Sequence, residues 1–169
     1  MRKFRHIPRL KVKSELKASS SPPVIVKGFL RELAFEPDIS IVAVVWSGNR
    51  KNIVDYEALY QHLVAQCAFH TVKLHKRIDL FVDKRYTNKK QQQELEKEIR
   101  EAIASIPGNV VRVFQEESHV VKELTAPDFV AWAYMQRFCR SNAEYYRIIR
   151  ARVVHFADLS EKATLPGHR

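Results

Sequence analysis

The run Ile78-Asp-Leu-Phe-Val-Asp83 constrains the fold more than any other stretch of the chain. Ile78, Leu80, Phe81 and Val82 read as a strand buried on both faces, the habit of parallel sheets sandwiched between helices. Lys84, Arg85 and a long polar-to-apolar helical stretch follow directly. Asp83 closes the run, and a carboxylate at the C-terminal end of a buried strand stands where open α/β sheets place their chemistry. A helix cap or a solvated loop residue is the plainer alternative for a lone aspartate.

The rest of the chain alternates in the same way. Residues 39–46, almost wholly apolar and β-branched, read as a strand bounded by Ser47-Gly48-Asn49. Residues 110–114 read as another, and all three strands are expected in one sheet. Between them, Asp55 to about Val72 carries Tyr56, Leu59, Tyr60, Leu63 and Cys67 at helical spacing. Asn88 to Ser105 carries the stripe Leu95, Ile99, Ala102, Ile103 and Ile106, ended by Pro107-Gly108-Asn109. Ser19-Ser-Ser-Pro-Pro23 opens an earlier helix, with serine capping and prolines suited to the first turn; Val24, Gly28 or Phe29, and Leu33 are expected to face inward. Thr125-Ala-Pro-Asp128 opens a helix that is apolar nearly all round, and a last helix is expected over 142–154. Strands alternating with helices define an α/β fold with a mainly parallel sheet.

Charge sets this chain apart from an ordinary soluble domain. Twenty-nine Lys and Arg against nineteen Asp and Glu leave +10 over 169 residues. Arg2, Lys3, Arg5, Arg9, Lys11, Lys13 and Lys17 face a single acid, Glu15, in the first seventeen positions. Such a balance points to a polyanionic partner, nucleic acid before membrane. Residues 1–13 read as a basic arm for phosphates, with Lys84 and Arg85 as further contacts; alternatively, Leu10 to Leu16 form a short strand. Residues 14–159 read as one domain and 160–169 as a frayed tail. The N-terminus has no apolar signal region and no apolar run is long enough for a membrane span, so the expected location is cytoplasmic. The two cysteines, Cys67 and Cys139, are expected to be reduced. Only four glycines occur, and none sits in a phosphate-cradling loop, which argues against a nucleotide cofactor. The histidines show no zinc-ligand spacing.

Taken in order, Glu15-Leu-Lys-Ala-Ser19, Ile78-Asp-Leu-Phe-Val-Asp-Lys84, Glu117-Ser118, Ala126-Pro-Asp-Phe-Val130 and Tyr145-Tyr-Arg-Ile-Ile149 resemble the family called domain of unknown function 3800, a member of the ribonuclease-H-like superfamily. The resemblance spans roughly residues 14–156. It implies a ribonuclease-H-like mixed or mainly parallel sheet with helices on both faces, and a metal-dependent nuclease or related phosphodiester-processing factor. Family members open with a strand ending in Asp-Glu-Ser, a triplet this sequence lacks. The resemblance therefore implies missing first strands, an incomplete active site, and self-association through an exposed sheet edge. It implies Glu15, Asp83 and Asp128 as catalytic metal ligands and Glu117 as an auxiliary acid, holding Mg²⁺ or Mn²⁺. Such ions take oxygen ligands, and a pair of them can hold both the attacking and the leaving oxygen of a phosphodiester. Each acid has a plainer role too: Glu15 balancing its lysines, Asp128 at a helix start, Glu117 in a solvated loop. A basic module that binds nucleic acid or protein without chemistry is the alternative function.

Overall fold

The computed structural model describes residues 16–49, 51, 53–117 and 122–161. These form two compact units, the first made of residues 16–39 and 122–152, the second of 40–117 and 153–161. Among the described residues, no helix is long and apolar enough to cross a membrane. The N-terminal arm, the alternative strand at 10–16 except Leu16, and the tail from 162 lie outside the described residues.

The first unit is helical. Helix α1 spans Pro23–Phe35, with proline at its first position, where no amide hydrogen is needed. Helix α4 spans Thr125–Arg140 and α5 spans Glu144–Ile149. The α4 helix ends at Ser141 in the left-handed region, φ 53°, and Asn142 then donates its N–H back to the Gln136 carbonyl. The Asn142 side chain caps α5 through the Glu144 N–H at 3.0 Å. Phe129, fully buried, stacks on Phe29 with ring centroids 4.1 Å apart, and Trp132 meets Tyr145 edge to face. Lys27 of α1 pairs with Glu144 of α5. The inward face of α1 matches the expected one in part: Phe29 packs inward on Phe129 and Leu33 is half-buried, but Val26 and Leu30 are the fully buried positions and Val24 is 71 % exposed. Apolar residues occupy most sides of this helix, so spacing alone does not choose the inward stripe; packing against Phe129 does.

The second unit holds all the described strands. Strand β1 (Ile41–Val45) pairs in parallel with β4 (Val153–Asp158), and β2 (Arg77–Asp83) pairs in parallel with β3 (Val110–Glu116). Strands 39–46, 77–83 and 110–114 were expected in one sheet; they lie instead in two separate two-stranded sheets. The reason is β4. Residues 153–154 were expected to end a helix running from 142, but that helix stops at Ile149, a 3-10 turn covers Arg150–Arg152, and the β-branched and aromatic run Val153-Val-His-Phe156 extends beside β1.

Helix α2 (Tyr56–Leu74) starts under the Asp55 carboxylate, which accepts the N–H groups of Glu57 and Ala58. It lies against both sheets. Cys67 approaches the Val42 carbonyl and His70 stacks on His155 at 3.8 Å, while Ala65, Ala68 and Val72 enter the core over β2 and β3. Helix α3 (Lys89–Ile103), capped by Asn88, adds Leu95, Ile99 and Ile103 to that core, the stripe its sequence shows. Residues Ile78, Leu80, Val82, Val111 and Val113 form the inner face of β2–β3. The burial of β2 on both faces is corrected accordingly. Arg77, Asp79, Phe81 and Asp83 are exposed on its outer side, and Phe81 is 44 % exposed. The helices of this unit cover one face of β2–β3, because α2 and α3 supply a single layer.

Candidate functional site

The carboxyl ends of β2 and β3 gather the most polar chemistry of the second unit. Asp83 stands in register with Glu116. The chain then turns, with the Lys84 N–H donating to the Glu116 carbonyl at 2.8 Å and the Lys84 ammonium 3.3 Å from Glu117. Arg85 lies 4.3 Å above the Tyr60 ring and 3.4 Å from the Glu57 carboxylate in the first turn of α2. Tyr86, only 5 % exposed, donates its hydroxyl to Glu57 and receives a hydrogen bond from Gln61 at 3.4 Å. Burial, reinforced by the hydrogen bond to Glu57, pushes the Tyr86 phenol up to about 12. Burial also raises Tyr60; the Arg85 cation opposes that, while the Asp83 and Glu57 carboxylates add to it. Both phenols are therefore neutral at physiological pH, and Tyr86 is the donor to Glu57.

A second polar cluster closes β1 and β4. Asp158 accepts from the Ser47 hydroxyl and from the Ser160 N–H and hydroxyl at 3.0 and 2.7 Å, and it stands in register with Val45. The turn after β1 is tight: a Cβ on Gly48 would lie 2.5 Å from the Trp46 ring, so only glycine fits without displacing that side chain. Burial alone would raise the Asp158 carboxyl, but the Ser47 and Ser160 hydrogen bonds outweigh it and hold it below the ordinary carboxylate range. A depressed native value means stability that is full above the unfolded value, about 3.9, and is lost as pH falls through the native one. Asp158→Asn is expected to lower stability at neutral pH and flatten the acid limb below about pH 4, as measured by urea midpoints from pH 2 to 7. An unchanged acid limb in the variant would show that the carboxylate plays no part.

The predicted site residues fall as follows. Asp83 sits at the strand end expected of it, in the second unit. Asp128 belongs to the first unit, in the opening turn of α4, where its carboxylate accepts the buried Ala18 N–H at 2.9 Å. Glu117 is ion-paired with Lys84, and Arg85 with Glu57. Glu15, Arg2, Lys3, Arg5, Arg9, Lys11 and Lys13 lie outside the described residues. Glu57, Tyr60 and Tyr86 escaped the sequence reading, because their partners are 25 to 29 positions away. Asp158 escaped it along with β4, although its place after an apolar run is the same signal that marks Asp83.

The fold class is mixed α/β, with helices and short parallel-strand sheets. Comparison with protein families, with curated proteins and with solved structures finds no match for this chain.

Proposed function

We propose that this protein handles nucleic acid, holding the phosphate backbone through its basic residues. The observation that carries the reading is the charge, +10 overall. A net +6 of it is concentrated in the first seventeen residues. The first unit offers a further basic surface: Arg137 lies 4.1 Å above the Tyr146 ring, with Arg140, Arg147 and Arg150 exposed on the same helical hairpin. Arginine over an aromatic ring suits unpaired bases as well as phosphates. Released counterions make such binding salt-dependent. With about four phosphates neutralised, log affinity falls against log salt with a slope near −3 to −4, a loss of about 100-fold between 50 and 200 mM. Filter binding or anisotropy over that range checks it, and deleting residues 1–13 is expected to flatten the slope. Binding indifferent to salt, or none at low salt, overturns the reading.

A second reading, metal-assisted phosphodiester cleavage on a ribonuclease-H-like fold, is favoured by one observation. Asp83 ends a parallel strand beside Glu116, where α/β proteins place catalytic carboxylates. Glu15 and Asp128 would join it by resemblance, with Mg²⁺ or Mn²⁺ as the ion. Among the described residues, no three His, Cys, Asp or Glu side chains group to hold an ion, and Asp128 and Glu117 already meet the Ala18 N–H and Lys84. The described residues alone do not make up the ligand set. Mg²⁺- or Mn²⁺-dependent cleavage of DNA or RNA that Asp83→Asn abolishes would establish this reading; its absence leaves binding without chemistry.

A further inference from the structure

The outer face of β2–β3 presents four rows of side chains. Residues in register on neighbouring parallel strands point to the same side, so the rows are Arg77 with Val110, Asp79 with Arg112, Phe81 with Phe114, and Asp83 with Glu116. The second row is a two-toothed ion pair, Arg112 to Asp79 at 2.7 and 2.6 Å. In the third, the two rings stack with centroids 4.9 Å apart. Phe81 and Val110 are 44 % and 56 % exposed. The exposed apolar groups thus lie in two different rows, Val110 beside Arg77 and Phe81 in its stack with the half-buried Phe114. What the rows show is an order: cationic at the start of the strands, aromatic in the middle, doubly anionic at their ends.

From this order we infer that the face is the contact surface for a second copy of this chain. The complementarity is internal. A two-fold axis lying in the plane of the face, at right angles to the strands and between the second and third rows, sets the first row of one copy against the fourth of the other. Each Arg77 then faces an Asp83 across the interface, and each Arg112 guanidinium lies over the other copy's Phe114, a cation on an aromatic face. Within one chain Arg112 already leans toward Phe114, at 5.9 Å. The alternative axis, along the strands, would put Asp83 against Glu116 and repel. Face-to-face sheets about 10 Å apart accommodate these side chains. Nucleic acid is a poorer occupant, since Asp79, Asp83 and Glu116 outnumber Arg77 and Arg112 here. The inference stands apart from the nucleic-acid reading.

The face is small, about 20 Å long and two strands wide, well short of the roughly 800 Å² per partner of a stable complex. The dimer is therefore weak and reversible, with a dissociation constant of roughly 0.1–1 mM. Sedimentation equilibrium on the full chain, after nuclease treatment, tests it through exposed positions that leave the fold intact by circular dichroism. Arg77→Glu alone and Asp83→Arg alone are each expected to weaken self-association by roughly tenfold or more, since each sets like charges opposite twice per dimer. Mixing the two single variants, or placing both changes in one chain, is expected to restore it. A wild-type chain that stays monomeric at about 1 mM, the upper end of the expected range, overturns the inference. So does association that survives both single variants, fails to return on mixing, or disappears with nuclease treatment.

Discussion

Ile99→Ala is expected to lower stability by about 3 kcal/mol, within the range of about 2–5 for a buried isoleucine cut to alanine. Ile99 is fully buried at the centre of the core that α2 and α3 build over β2–β3, beside Leu95 and Ile103 on its own helix and Val72 of α2. Its loss removes buried apolar surface and leaves a cavity that surrounding residues close only in part. For a chain of this size the melting point is expected to drop by roughly 6–12 °C. Hydrogen exchange should accelerate first in β2, β3 and α3. Ala102, on the same helix but only half-buried, serves as the comparison: Ala102→Ser should cost under about 1 kcal/mol. Equal effects at 99 and 102 would show that position 99 carries no more of the core than the half-buried margin of the same stripe.

That stripe was open to sequence reading because α3 is polar on every other side. Leu95, Ile99, Ala102, Ile103 and Ile106 recur at helical spacing among Gln, Glu, Lys and Arg, so only one face could turn inward; the structure buries four of them and leaves Ala102 half-buried against the same core. Helix α1 lacks that contrast, and its phase could be read from spacing only in part. Strand β2 did carry the signal of its true state. Asp79 between Ile78 and Leu80 marks the alternation of a strand with one wet face, and Phe81 on that face disguised it. Strand β4 was hidden because Tyr145, Ile149 and Val153 repeat every four residues across the end of α5 and into the strand. The site was legible to the same extent. A carboxylate at a strand end can be seen locally, whereas Glu57 and Tyr86 meet only after α2 packs beside β2. Asp128 shows the limit of motif reading: a helix-opening Thr-Ala-Pro-Asp suits a ligand or a structural acceptor equally, and here its carboxylate holds the Ala18 amide.

Phe129→Ala is expected to cost the first unit about 3–5 kcal/mol, the largest effect of any single change considered. Phe129 is fully buried and is the largest such side chain in the chain's described core. It stacks on Phe29 of α1, with ring planes 28° apart, so truncation removes both its own burial and the surface against which α1 settles. Part of the cost belongs to the ring pair. Offset aromatic pairs contribute about 0.5–1.5 kcal/mol beyond their area, and a double-mutant cycle isolates that share. Phe29→Leu, Phe129→Leu and the combined variant keep most of the apolar volume while removing the stacking. The combined loss is expected to fall short of the sum of the single losses by about 0.5–1.5 kcal/mol. Additivity within error would mean that the two rings are held apart in solution. The phase of α1 would then have to be set by Val26 and Leu30 alone, and Leu30→Ala would become the more damaging change.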